Sequence, residues 1–468
     1  MARKPPGTPP EIKFTETGHV TEVREYALIT PLFGGGVEAR KFDPVTTIRA
    51  ASVRGQLRFW WRATRGGQFA NVEAMRDAEE ALWGGPARLD KDGETIGGQS
   101  AVQVEVVAAD AGKPAHPYTV RLNPNNQRYQ ARADETVAPA YAAFPLQPTD
   151  AELGRSITET RETAAVQVGV TFTLRIQFPA AQEPEVRAVL WAWETFGGLG
   201  ARTRRGFGAL QCRTVNGAAV TPLPATTDGL QTWLQAQLGA HVRPAAAPTA
   251  FPTLSPSAAA YVIGAPALLS DADEVWTQLI GALKDYRQQR NPGQPAGRSR
   301  WPEPDAVRVA TGMHHPAHAP RHPVRKLPRA RFGLPIIVHF KTDRALPRHQ
   351  DDPYDVSIEG ATSDRLASPL ILRPLAVRGG YVGLACALHS AAEPPGGVVI
   401  RRKDRKWRAR PNDPEPAPIA VPTNVSVTEA AEITTHGGQP LAAGGDVLHA
   451  FLTFLTRAVT ARPARRNR

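Results

Sequence analysis

Residues 165–178, AVQVGVTFTLRIQF, alternate apolar and polar positions more strictly than any other stretch of this chain. Val166, Val168, Val170, Phe172, Leu174, Ile176 and Phe178 share one face of a strand, because successive side chains point to opposite sides of a pleated backbone. A strand with one wholly apolar face must be covered by another layer. The chain supplies that layer at once. Pro184 opens the helical pattern PEVRAVLWAWETFGG, and GFGALQCRTV returns as a strand.

Upstream, VTEVREYALIT (20–30) reads as an opening strand that runs into the loop PLFGGGVEARKFDPVTTIRA. Two helices follow, SVRGQLRFWWRATR (52–65) and NVEAMRDAEEALWGG, then the strand SAVQVEVV (100–107). The order is strand, helix, strand, strand, helix, strand with one helix inserted, which fits a ferredoxin-like (RRM-like, βαββαβ) unit. A second series starts at AAYVIGAPALL and continues with the helix DADEVWTQLIGALKDYRQQR, capped by Asp271. FGLPIIVHF, ASPLILRPLAV and GGYVGLACALH are strand candidates, and GGDVLHAFLTFLTRAV is a closing amphipathic helix. The expected fold is α+β with two ferredoxin-like domains carrying helical insertions. They are residues 1–216 and 259–468, joined by an Ala/Pro-rich linker at 217–258 that holds one short helix. A length of 468 residues suits such a division, since one core of ordinary size does not organise so long a chain.

With 56 Lys and Arg against 44 Asp and Glu, the formal charge is +12, which favours a polyanionic partner. Cys212 and Cys386, the two cysteines, form neither a disulfide framework nor a metal-type pair. No run of 18 apolar residues occurs and the first residues carry no apolar signal core, so a cytoplasmic protein without membrane contact is expected.

The helix 52–65 concentrates that charge. At about 100° per residue, Val53, Leu57, Trp60, Trp61 and Thr64 share one arc, while Arg54, Arg58, Arg62 and Arg65 share the next. Stacked like charges repel, and no acid lies between Asp43 and Glu73 in sequence, so the counter-charge is expected from outside the chain. Ser52 is a candidate N-cap and Gly66 a candidate stop. Trp60 reads as core, and Trp61, at the border with the arginines, as a side chain able to stack on a base.

FGGLGARTRRGFGAL (196–210) sets five glycines beside Arg202, Arg204 and Arg205 between a helix and a strand. Glycines let successive backbone N–H groups turn into one concavity, and guanidiniums suit phosphate oxygens. No GK[ST] follows, so this is not a nucleotide-binding P-loop. Arg205-Gly206-Phe207-Gly208 matches the front of an RRM signature, and the match stops at Ala209, where an aromatic belongs. PLFGGG (31–36) is a second glycine cluster after the opening strand; the two loops and the arginine helix are expected to converge on a groove that follows a phosphate backbone.

PLFGGGVEARKFDPVTTIRAASVRGQLRFWWRATRG and FGGLGARTRRGFGAL resemble RAMP-superfamily subunits of RNA-guided CRISPR effectors, above all the two-domain head subunit of type III-B (Cmr) complexes. SRWPEPDAVR, RARFGLPIIVHFK and ASPLILRPLA are similar to that family's second half. The resemblance implies a non-catalytic subunit that holds the 3′ portion of the guide RNA, helps admit complementary target RNA, and docks on other subunits of the effector. The RNA-contacting set expected on this reading is Gly34, Gly35, Gly36, Arg49, Arg54, Arg58, Trp61, Arg62, Arg65, Gly198, Gly200, Arg202, Arg204, Arg205, Gly206, Phe207 and Gly208. No cofactor, metal or catalytic residue is expected.

The competing reading is a RAMP endoribonuclease, metal-independent or using an aspartate, acting on guide or target RNA. Guide-processing members use a histidine near the first helix; this helix has none, and His19 lies at the start of the first strand. Target-cutting members use an aspartate in the loop after that strand, where Asp43 and Glu38 stand; Asp43 before Pro44 also reads as a turn former. His314, His315, His318 and His322 cluster in MHHPAHAPRH, but Pro316 and Pro320 prevent a helix that would align them for zinc. RRKDRKWRAR (401–410) and the tail RPARRNR are basic and suit either solvent or RNA.

Overall fold

The computed structural model describes residues 18–36, 38, 40–43, 45–89, 93, 95–154, 163–244, 251–293, 297–340, 346, 350–353, 355–391, 393–402 and 416–460. In chain order the main elements of the first half are β1 (His19–Leu28), α1 (Ala50–Arg65), α2 (Val72–Trp83), β2 (Gln103–Asp110), β3 (Thr171–Pro179), α3 (Glu183–Phe196), β4 (Leu210–Val215), β5 (Ala218–Ala219) and α4 (Thr227–His241). Its antiparallel sheet has the order β5-β4-β1-β3-β2. Leaving out the edge hairpin β5, the strands stand in the order 4-1-3-2, with α1 and α3 packed together over one face. Three short antiparallel strand pairs and the helix Ala140–Ala143 are inserted around β2.

The alternating stretch behaves as its pattern demands, with one exception. Val166, Val170, Phe172, Leu174, Ile176 and Phe178 are buried, whereas Val168 is exposed. Gly169 takes φ +78°, which splits the stretch and turns Val166–Val168 to pair with Lys113–Ala115 instead. In α1, Val53, Leu57, Trp60, Trp61 and Thr64 are buried as the helical count requires. The helix begins at Ala50 with Arg49 as an N-cap lacking a side-chain bond, so Ser52 lies inside the first turn. Asn71 caps α2 by accepting from Ala74 N at 2.8 Å.

The second half continues with β6 (Tyr261–Ile263), α5 (Ala272–Arg287), α6 (Glu303–Thr311), β7 (Ile336–His339), β8 (Asp355–Gly360), β9 (Leu370–Val377), β10 (Gly380–Ala387), β11 (Val398–Arg402), β12 (Ile419–Ala420) and α7 (Val447–Thr460). It forms two sheets, β6-β10-β9 and β7-β8-β11-β12. The first has the order 1-3-2 of a βαββα series, without a fourth strand among the described residues. FGLPIIVHF, expected beside these strands, joins the other sheet as β7. The reason is local: β9 and β10 close a hairpin through Arg378 and Gly379, whose φ of +81° suits a two-residue turn, and this leaves β7 to pair with β8.

Both larger cores draw on both halves. Ile371, Leu375, Leu384 and Cys386 pack in the core under the first sheet. Phe33 and Phe207 pack with Trp276, Tyr286 and Phe451. The 217–258 stretch is more than a tether: α4 buries Leu230, Leu234 and Leu238 in the first core, and Leu254 N donates to Ala63 O at 2.8 Å.

Candidate nucleic-acid interface

The two glycine-rich loops meet. Ala201 N donates to Phe33 O at 2.7 Å, and Gly208 N donates to Pro31 O at 2.9 Å. Gly200 makes this approach possible: its φ is +81°, and a Cβ there would sit 2.5 Å from Phe33 O. Between the loops and the start of α1 lies a groove of about 360 Å³, walled by Leu32, Gly35, Thr47, Ile48, Arg49, Ser52, Gly55, Gln56, Leu199, Gly200 and Ala201. Arg49 Nη2 donates to Gly35 O at 2.5 Å and fixes one wall to the other. A larger cavity of about 480 Å³, between α4, β6 and α5, has no charged residue in its lining.

Gly55 was not foreseen as part of this site. It lies in the interior of α1, exposed, with nothing within 4 Å of where its Cβ would be. A helix-interior glycine costs about 1 kcal/mol relative to alanine. No packing inside the protein accounts for it.

The arginine stripe of α1 is placed differently from expectation. Arg58 Nε and Arg62 Nη1 both donate to Glu79 Oε1, at 2.6 and 2.5 Å, and Glu79 is nearly buried on α2. Arg65 is buried, pairs with Glu185 at 3.1 Å and donates to His241 O and Pro184 O, each at 2.8 Å. The counter-charge therefore comes from inside the chain, brought by helix packing rather than by sequence neighbours. Trp61 is also corrected: only 3% exposed, it packs on Phe69 and donates Nε1–H to Glu185 Oε2 at 2.8 Å, so no base can stack on it. Arg54 stays half-buried, and its Nε has no hydrogen-bond partner among the described residues.

The arginines of the second loop are held by carbonyls. Arg202 Nη1 donates to Ala142 O at 2.9 Å, Arg204 Nη1 to Ser368 O, and Arg205 Nη1 to Leu370 O at 2.8 Å. Burial pushes Arg205 down to about 9, so it remains cationic at neutral pH. Phe207 is fully buried against Phe33 and Trp276 and is not a stacking platform. Gly198, Gly206 and Gly208 are tightly packed, with Leu199, Phe207, Trp276 or the loop's own carbonyls where a Cβ would go, and Gly34 and Gly36 shape the facing loop. Under the second loop, the fully buried Arg373 of β9 donates to Glu194 O (3.0 Å), Gly197 O (2.6 Å) and Leu210 O (2.6 Å).

Asp43 closes a turn, Oδ1 accepting from Val45 N at 2.9 Å and Thr46 N at 3.0 Å; these bonds hold its carboxyl below the usual carboxylate range. Glu38 pairs with Lys41 at 2.6 Å, and His19 is exposed at the start of β1. In the histidine-rich loop, His318 Nδ1 lies 2.6 Å from Asp352 Oδ2, a carboxylate also held by Arg308 at 2.7 Å. Among the described residues no group of three His, Cys, Asp or Glu side chains could hold a metal ion, and no helix is long and apolar enough to cross a membrane. Residues 403–410 of the basic run and the tail from 461 lie outside the described residues; Arg401 pairs with Glu359.

Residues 25–211 match the family model of the RAMP superfamily. A stretch of 57 residues, 12% of this chain, is 44% identical to the CRISPR system Cmr subunit Cmr1-2 of Pyrococcus furiosus and spans 28% of that relative's length. Among solved structures, the chain is similar to the apo crystal structure of Cmr1 from Pyrococcus furiosus, with 17% identity and a TM-score of 0.40, over 80% of this chain and 88% of that one. It is also similar to a chain in a cryo-EM structure of the type III-B Cmr-beta bound to cognate target RNA, with 11% identity and a TM-score of 0.43, over 83% and 97%.

Proposed function

We propose that this chain is a non-catalytic RNA-binding subunit of a type III-B CRISPR effector complex. In that role it holds the 3′ portion of the guide RNA and helps capture complementary target RNA in antiviral defence, in the cytoplasm and alongside other Cmr-type subunits. Each half is read as a ferredoxin-like unit, the first with all four strands and the second with three. The observation that carries the reading is the groove between the two glycine-rich loops and α1, where Gly35, Gly55 and Gly200 leave backbone-width access beside Arg49. Its resemblance to a named Cmr subunit adds support. The turn that occupies the Asp43 carboxylate favours a structural over a catalytic role for that residue.

Gly55→Phe tests the groove. The new side chain meets open space, so folding is expected to survive, while the groove is filled. Binding of single-stranded RNA, followed by fluorescence anisotropy, is expected to weaken at least about tenfold, equal to ~1.4 kcal/mol. Gly55→Ala, which adds only a methyl, should bind normally and melt slightly higher. Unchanged RNA affinity in a folded Gly55→Phe protein overturns the groove assignment.

A further inference from the structure

The second half carries no glycine-rich loop, yet it places a cation where the first half's loop ends. Arg287 is the last residue of α5, and its guanidinium stands 5.8 Å from the ring of Phe332. Arg205 reaches the carbonyl of that same Phe332 at 3.4 Å. Arg202 reaches Ala142 O in the short helix Ala140–Ala143, and Tyr141 of that helix lies against Arg287. Three guanidiniums from two halves of the chain thus surround one corner. Arg202 is exposed and the other two are half-buried, so access to the corner is from the side of Arg202.

The charge there is not balanced. The acid facing Arg287 is Glu303, and that carboxylate is already held by Arg329 at 3.0 Å. Arg202 and Arg205 have carbonyl partners, which solvate a guanidinium without cancelling its charge. Arg287 Nε is itself buried and has no hydrogen-bond partner among the described residues. Arg202 is further held in the left-handed region, at φ +57°, a conformation that costs a non-glycine residue about 1 kcal/mol or more and clusters at ligand sites. It follows directly on Gly200 and Ala201, which wall the groove.

We infer that Arg202, Arg205 and Arg287, with Tyr141 beside them, form a phosphate-binding site for the RNA strand as it leaves the groove, and that the second half therefore contributes directly to RNA binding. This inference rests on the RNA-binding reading above. Guanidiniums present forked donors that match phosphate oxygens, and continuity with the groove favours RNA over an acidic protein segment.

The test uses the full chain and a labelled oligouridine of about 20 nucleotides, longer than the usual site of one single-strand-binding module. Affinity is measured over a range of salt concentrations for the unchanged protein, Arg287→Met, Arg287→Lys and Arg202→Met. Each Met variant is expected to lose roughly tenfold in affinity, and the slope of log K against log salt should fall by about 0.7 for each phosphate contact removed. Arg287→Lys should keep most of the slope. Arg202 is exposed, so its variant answers the question even if Arg287→Met fails to fold. If the unchanged protein does not bind the oligonucleotide, the parent reading falls and this site with it. If it binds and Arg202→Met keeps both affinity and slope, this inference alone is overturned.

Discussion

The arginines of α1 and those of the glycine-rich loop both keep guanidiniums partly out of bulk water, but with different partners. On α1, Arg58 and Arg62 share Glu79, and Arg65 pairs with Glu185. On the loop, Arg202, Arg204 and Arg205 are held by the carbonyls of Ala142, Ser368 and Leu370. A carboxylate neutralises a guanidinium, whereas a carbonyl satisfies its N–H groups and leaves the positive field in place. The stripe that is richest in charge by sequence is therefore largely spent on fastening α1 to α2 and α3. The loop keeps its potential beside the groove.

The largest expected effect concerns the residue beneath that loop. Arg373→Met would leave the carbonyls of Glu194, Gly197 and Leu210 buried without a donor. Breaking such a buried charged network costs roughly 3–5 kcal/mol. A clear drop in melting temperature is expected, together with weaker RNA binding because the loop loses its support. Normal melting would show that these carbonyls find other partners, and that the loop's shape does not depend on the second half.

A smaller effect is expected on the other side of the comparison. Glu79→Gln keeps the shape of the side chain but removes the charge shared by Arg58 and Arg62, which are about one-third exposed. The stability cost should be about 1–2 kcal/mol. RNA affinity should rise roughly twofold or more at low salt, because the surface gains one net positive charge. A fall in affinity would mean that the ion pairs shape the RNA site rather than mask it.

Much of the architecture was legible before the fold was known, since it rests on periodicity. The faces of α1 and β3 follow from residue spacing, and one glycine with positive φ explains why Val168 leaves its face. The meeting of the two glycine-rich loops was legible too, because one follows β1 and the other leads into β4, two strands of one antiparallel sheet. Counter-charges were not. Glu79 reaches Arg58 and Arg62 only because α2 folds back on α1. The partners of Arg205 and Arg373 are backbone carbonyls, which carry no signature in a sequence. Trp61 was misplaced for a related reason, as its indole N–H is satisfied by Glu185 on a helix more than a hundred residues away. Two clues were present but unused: a glycine at position 55 inside an amphipathic helix, and a single arginine within the apolar strand LILRPLAV.

The most direct test of the contrast is the salt dependence of RNA binding by a protein in which Arg58 and Arg62 are both replaced by Met. If Arg58 and Arg62 are engaged by Glu79 and contact no phosphate, the slope of log K against log salt should match that of the unchanged protein to within about 0.3, less than half the change expected for one single-strand phosphate contact. A slope lower by roughly 1.4, the value for two lost contacts, would place RNA on the α1 stripe and contradict the account.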